Sequence, residues 1–159
     1  MADVVAALLR RALILLMSLL VVTVSWQVLS RYLLAEPSSW TEEAARFLLV
    51  WIGILGAAYV AHAREHLAID ILPRKLSGKA QWWLRLFIEL AIMAFAASAM
   101  ILGGGRLVLI TCELNQVTPA LGMPTAILYS VVPLSGVLIV AFAIGHIREL
   151  ITGNAREMG

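Results

Sequence analysis

The stretch SSWTEEAARFLLVWIGILGAA, residues 38–58, decides the fold class. Charge stops at Arg46, and from Phe47 to Ala61 the chain carries none. A bilayer core of about 30 Å takes roughly 20 apolar residues as a helix. At the head of this run stand Trp40, Glu42, Glu43 and Arg46. Ser39-Trp40-Thr41-Glu42 fits S-x-x-E, in which Ser39 accepts from an orphan N–H and Glu42 reaches back to the Ser39 backbone. Both glutamates fall in the first turn, where the helix dipole favours negative charge. Glu42 and Arg46 are four apart with the acid first, the better orientation. Trp40 suits the aromatic belt at a membrane surface. The charges therefore read as the start of a membrane-crossing helix.

Composition agrees with that reading across the chain. Of 159 residues, 62% are hydrophobic and 14% charged, and the mean hydropathy is +0.93. A soluble domain has about 45–50% apolar and about 25% charged residues. The class is an all-α integral membrane protein of one domain. Its expected spans are about 9–31, 41–63, 82–104 and 124–147, the third closed by Gly103-Gly104-Gly105. The runs are continuous rather than alternating, which excludes a β-barrel. Arg10 and Arg11 precede a charge-free stretch longer than a signal h-region, so a retained signal-anchor helix is expected. The single cysteine, Cys112, leaves no internal disulfide and no cysteine-based metal cluster.

Basic residues alternate between the two sides. Arg10, Arg11, Arg64, Arg74, Lys75, Lys79, Arg85, Arg148 and Arg156 fall on one side, and Arg31, Arg46 and Arg106 on the other. The positive-inside rule then places both termini and the middle loop in the cytoplasm. In that middle loop, apolar residues interleave with Arg74, Lys75 and Lys79, followed by Trp82 and Trp83. The pattern predicts an amphipathic arm over about 66–80, lying along the headgroups.

Trp40, Glu43, Phe47 and Trp51 share one helix face. Trp51 lies about 16 Å beyond Trp40 at 1.5 Å per residue, too deep for an interfacial belt. The face reads either as a plain helix start or as a packed protein surface. Gly53, Ala57 and Ala61 recur every fourth position, as do Ala94 with Ser98 and Ala141 with Gly145. Such spacing lets helix backbones approach, within the unit or against a partner. The span centres are nearly free of charge. Glu89 is the exception, and it is placed to pair with Arg85 four residues earlier, with a contact to another subunit as the other reading. Pro133 reads as a tolerated kink inside the last span.

The stretch RYLLAEPSSWTEEAARFLLVWIGILGAAYVAHAREHLAIDIL resembles the small membrane subunit, of Q or DctQ type, of tripartite ATP-independent periplasmic (TRAP) transporters. The likeness rests on Arg31-Tyr32, Trp40-Thr41-Glu42-Glu43, Trp51, Gly56-Ala57 and His66. Further on, Ala120-Leu121, Pro124, Tyr129, Pro133 and Gly136 are similar to the family's entry to its last helix, with Thr125 and Ala126 where an aromatic is common. The resemblance implies an accessory subunit that binds neither substrate nor cofactor. It implies a large permease (M type) that Phe47, Trp51, Gly53, Ala57, Arg85 and Glu89 would meet. It also implies a soluble periplasmic binding protein (P type) that Arg31, Trp40, Glu42 and Glu43 would help receive. Ion-driven uptake of an organic acid across the bacterial inner membrane is the implied activity.

Two rivals come from other classes. His62, His66 and His146 all lie at the ends of spans on one side, which imitates the haem site of a b-type cytochrome or membrane-anchor subunit of a redox complex. A haem anchor would place its histidines well inside the bundle. Small four-helix multidrug exporters resemble a pattern with a glutamate inside the first helix, and none lies between Ala12 and Ser30 here.

Overall fold

The computed structural model describes residues 2–33, 38–63 and 79–157. All of the elements it describes are helical. α1 is Ala2–Leu33 and α2 is Ser39–Ala63. The third span is composite: α3 (Lys79–Phe95), a π-helical stretch (Ala96–Gly103) and α4 (Gly104–Glu113). The fourth is a short α5 (Thr125–Tyr129) followed by α6 (Val131–Glu157). Four segments are long and apolar enough to cross a membrane: Val4–Leu33, Ser39–Ala63, Ala80–Glu113 and Thr125–Thr152. The expected arm, with His66, Arg74 and Lys75, lies outside the described residues, as does the side chain of Lys79.

The third span does not close at its glycines. Gly103 and Gly104 keep right-handed helical φ of −65° and −64°, and the helix runs on for another three turns. Glycine weakens a helix by about 1 kcal/mol when nothing compensates. Here Gly104 is a point of close approach: a Cβ on it would lie 2.8 Å from Val132 Cγ1. Packing against the fourth span holds the helix where composition alone argues for its end.

Pro133 also sits differently from expectation. The fourth span turns at Ser130, and Pro133 is the third residue of α6 rather than an interior one. The first N–H groups of a helix have no partner four residues back, so proline removes nothing there. Leu134 N–H is the first to reach back, to Ser130 O at 3.3 Å.

The spans form a row: α1 against α2, α2 against α6, and α6 against the third span. Among the described residues α1 barely touches α6 and does not meet the third span at all. The unit is an open layer, not a closed bundle. α6 is central, since 33% of its apolar window is buried inside the unit, against 11%, 11% and 6% for the other three. Leu55 and Ala58 of α2, Ala96 of the third span, and Val131, Ile139 and Phe142 of the fourth make the buried seam, with Ala6 and Leu9 of α1 joined to it.

Polar groups within the spans are answered locally. Ser18, Thr23, Ser98 and Thr111 each donate to the carbonyl four residues earlier. This is the usual solution where no water is available. The fully buried Ser135 differs, donating across the seam to Ile54 O at 2.9 Å. Next to it, Gly136 receives the π-helical stretch. A Cβ at Gly136 would fall 2.8 Å from Met100 Cβ, 2.9 Å from Ile101 Cγ1 and 3.2 Å from Ala96 O.

The start of α2 corrects the expected capping box. The hydrogen-bonded residue is Ser38, not Ser39. Thr41 donates its hydroxyl to Ser38 O at 2.7 Å and its N–H to the same oxygen at 3.3 Å. The Thr41 hydroxyl has only one proton, so the 2.6 Å contact between the two side chains is a donation from Ser38. Ser30 at the end of α1 lies 3.3 Å from the Ser38 hydroxyl, tying the two helices together. Glu42 pairs with Arg46 at 3.2 Å, as expected, instead of reaching back to Ser39. That pair is exposed, and such pairs add little.

Two outcomes are expected for the isolated protein in detergent. Ser38→Ala will cost about 0.5–1.5 kcal/mol, the net range for one lost hydrogen bond, while Ser39→Ala leaves the thermal midpoint unchanged. Gly136→Ala will cost about 1–3 kcal/mol through overpacking against a backbone oxygen and two side chains. Gly145→Ala is the control, because a Cβ there meets nothing within 4 Å.

Candidate interaction site

The loop joining α4 to α5 folds onto the start of α2. Two residues allow its turns: Asn115 at φ 46° and Gly122 at φ 64°. Asparagine tolerates the left-handed region, and glycine enters it freely. Thr118 N–H donates to Met123 O at 2.9 Å, and Met123 N–H returns to the Thr118 hydroxyl at 3.2 Å. Gly122 N–H closes onto Thr118 O at 3.0 Å. The base is held by Thr125, whose N–H and hydroxyl both donate to Gln116 O, at 2.9 and 3.1 Å.

Glu43 fastens this loop. Its Oε2 accepts from the N–H groups of Ala120 and Leu121, each at 2.8 Å. The Thr118 hydroxyl adds a third donor to the same carboxylate. An ionised carboxylate only accepts, and charge-assisted bonds of this length are the strong kind. Residues 77 and 78 positions apart are thereby joined at one end of the unit.

The neighbouring carboxylates thus have separate duties. Glu43 turns inward to the loop, while Glu42 is exposed beside Arg46. Trp40 and Arg31 are exposed at the same end. Leu114 and Val117 of the loop stand out from it, at 62% and 63% exposure. Phe47 and Trp51 are half-buried, and Trp51 packs against the core seam of this chain. Gly53 and Ala57 are on the opposite, open face, and a Cβ on Gly53 would meet nothing within 4 Å. The stripe and the small-residue row therefore look in different directions.

At the other end Glu89 departs from expectation. Its Oε1 meets His146 Nδ1 at 3.1 Å, with both side chains largely buried, while Arg85 is exposed. A carboxylate facing inward finds its donor on the adjacent helix. Arg85 lies one turn nearer the membrane surface, where its long side chain stays wet. His62 of α2 packs its ring on Phe142 at 4.6 Å and stacks on His146 at 6.2 Å, with 22° between the two imidazole planes. Bis-histidine ligation of a haem requires two imidazole nitrogens on opposite sides of one iron, and rings stacked face over face do not present that. Among the described residues no group of three or more His, Cys, Asp or Glu is placed to hold a metal ion. Below this cluster Trp82 Nε1 donates to Leu150 O at 3.3 Å, and Trp83 meets Trp82 edge-on at 5.0 Å. Trp83 is 64% exposed.

Sequence reasoning missed the loop docking and the Glu89–His146 contact. The signals were present but unspecific: a Pro- and Gly-bearing loop, TPALGMP, and two lone titratable residues on separate spans.

Comparison with known proteins matches residues 20–153 to the family described as tripartite ATP-independent periplasmic transporters, DctQ component. The sialic acid TRAP transporter small permease protein SiaQ of Vibrio cholerae is 34% identical over 88 residues, 55% of this chain and 51% of that protein. A putative TRAP transporter small permease protein of Haemophilus influenzae is 27% identical over 136 residues, 86% of this chain and 83% of that protein. The isethionate TRAP transporter permease protein DctMQ of Oleidesulfovibrio alaskensis is 30% identical over 120 residues, 70% of this chain but 18% of that protein. The matched part thus spans about half the length of the Vibrio relative and most of the Haemophilus one. Four membrane-crossing helices and a family match over most of the chain lead to one conclusion: this is a multi-pass membrane protein of the DctQ family, a small subunit of a TRAP transporter and not an enzyme.

Proposed function

We propose that this subunit braces the large TRAP permease and helps seat a soluble binding protein, for ion-driven uptake of an organic acid across the bacterial inner membrane. The observation that carries this reading is the open row. Three of the four spans bury little of their surface within the unit, and in lipid that surface gains nothing by hydrophobicity alone. A layer with two broad faces suits lateral packing against a larger membrane partner. The DctMQ relative supports the pairing, because a region like this chain forms a small part of a protein named a permease. The names of two relatives carry sialic acid and isethionate, both organic acids.

On the permease side the open positions Gly53, Ala57 and Arg85 lead, while Phe47 and Trp51, half-buried on the opposite face, would meet the permease only where it reaches round the layer. Glu89 contributes from within, through His146. Toward the binding protein stand Arg31, Trp40, Glu42 and the loop that Glu43 shapes. Charged residues at such a rim steer association more than they tighten it. Both termini face the cytoplasm in this arrangement, supported by the split of basic residues across the spans.

Liposomes holding this chain alone will show no ion-driven uptake, and adding permease and binding protein will establish it. Glu43→Ala will leave the membrane complex intact on purification and lower uptake, with a weaker response to added binding protein. Uptake by this chain alone would overturn the accessory reading. For orientation, the exposed positions Gln116 and Thr152 are converted singly to cysteine in a Cys112→Ser background. An impermeant thiol reagent will label the first in intact cells and not the second.

A further inference from the structure

The third span is wound differently in its middle, and three glycines meet that stretch at its outer end. Ala96–Gly103 is π-helical, between α3 and α4. A turn closed from i to i+5 takes in about one residue more than an α turn, and such stretches are rare and recur at functional sites. The far boundary is not sharply set. Gly104 N–H faces the carbonyls of Ala99, Met100 and Ile101, five, four and three residues back. The same N–H can therefore close a π ring or an α ring. Among the described residues the stretch makes no side-chain hydrogen bond to another span, and Ser98 donates to Ala94 O within its own helix.

The three glycines are unequal. A Cβ on Gly104 would lie 2.8 Å from Val132 Cγ1 and 3.1 Å from Pro133 Cδ. A Cβ on Gly103 would meet only Ser98 O at 3.7 Å, an ordinary contact, and one on Gly105 nothing within 4 Å. Glycine is a poorer helix former than alanine, so the packing seen here gives a reason for one of the three. A second winding gives a reason for Gly103. Successive residues of an α-helix lie about 100° apart round the axis and about 1.5 Å apart along it. Tightening one π turn to α turns α4 onward by about that angle and advances it by about that rise. Gly103 then comes to the place over Val132 and Pro133 that Gly104 holds, and no side chain enters the gap.

We infer that the π-helical stretch is a register joint: it exchanges between π and α winding, and Gly104 and Gly103 alternate against Val132 and Pro133. α3 stays on α6 throughout, held by Glu89 to His146 and by Trp82 to Leu150 O. α4 turns and moves toward the loop that Glu43 holds, carrying the exposed Arg106 and Leu109 to a new side. Small rotations and translations of one helix past another are a known form of switching. The outer half of the third span can thereby follow a partner without loosening the inner half. The joint is built from this chain alone, so it operates whether or not the subunit seats a binding protein.

The test uses the full-length chain in nanodiscs, with Cys112→Ser and spin labels on Leu109→Cys of α4 and Leu134→Cys of α6. Both positions are exposed, at 65% and 50%. On a helix about 10–12 Å across, a turn of about 100° moves a side-chain tip by roughly 8 Å. Pulsed electron paramagnetic resonance will give two label-to-label distances in this labelled parent. Gly103→Ala will leave one, because its Cβ is accommodated in the register described here and would strike Val132 in the other. Gly105→Ala will keep both, since residue 105 reaches Val132 in neither. Deleting the exposed Ala99 removes the extra residue while leaving Gly104 in place, and will also leave one distance. A single distance in the labelled parent overturns the proposal, as do two distances that survive Gly103→Ala. Loss of the second distance in Gly105→Ala as well would trace it to helix propensity and refute the register exchange. Where Gly103→Ala does not fold, the Ala99 deletion carries the test: one distance supports the joint and two refute it.

Discussion

The seam between the third and fourth spans depends on how closely the third span can approach α6. In lipid the hydrophobic effect does not press helices together, so close packing and polar contacts must hold them. Two missing side chains make the approach possible: Gly104, over Val132 and Pro133, and Gly136, under the π-helical stretch. One residue before Gly136, Ser135 reaches the other way, to Ile54 on α2. Adjacent positions on a helix point about 100° apart at 3.6 residues per turn. This Ser-Gly pair therefore sends α2 and the third span to different sides of α6. The row, rather than a closed bundle, follows from that divergence, and α1 is left with α2 as its main neighbour.

An open row would be a poor design in water, where its faces would aggregate. In a bilayer it is tolerated, because lipid covers what the helices do not. The same openness leaves Gly53 and Ala57 uncovered, whereas a closed bundle with this spacing would use them for its own packing. An architecture that does not seal itself leaves that close-approach surface open to lipid or to another helix.

The four spans were legible because each is a long continuous apolar run, a signal that survives without tertiary knowledge. Their ends were not, for local reasons. Three consecutive glycines argue for a helix end, and only the contact of Gly104 with Val132 and Pro133 shows why the helix continues. Ser38 and Ser39 are adjacent and chemically alike, and the choice between them rests on Thr41 and on Ser30 of another helix. Glu89 has a proper partner in Arg85 at i, i+4, but its side chain faces His146, 57 positions away. The outer face of α2 was visible in its periodicity, while the loop that Glu43 fastens lies 77 positions off. Periodicity shows which residues share a face. It does not show what arrives at that face from a distant part of the chain.

The polar contacts that were hardest to foresee also divide the unit. At one end Glu43 joins α2 to the loop between α4 and α5, and hence to both the third and fourth spans. At the other, the His62–His146–Glu89 cluster joins the same three spans. Between these ends the seam is apolar apart from Ser135. α2, the third span and the fourth are thus pinned at both extremes. Among the described residues α1 has by contrast a single polar tie to the start of α2, between Ser30 and Ser38. Three helices fixed at top and bottom resist shear in a way that apolar packing in lipid does not, since apolar surfaces slide at little cost. The residues that supply that resistance are two carboxylates turned inward at opposite ends, Glu43 and Glu89.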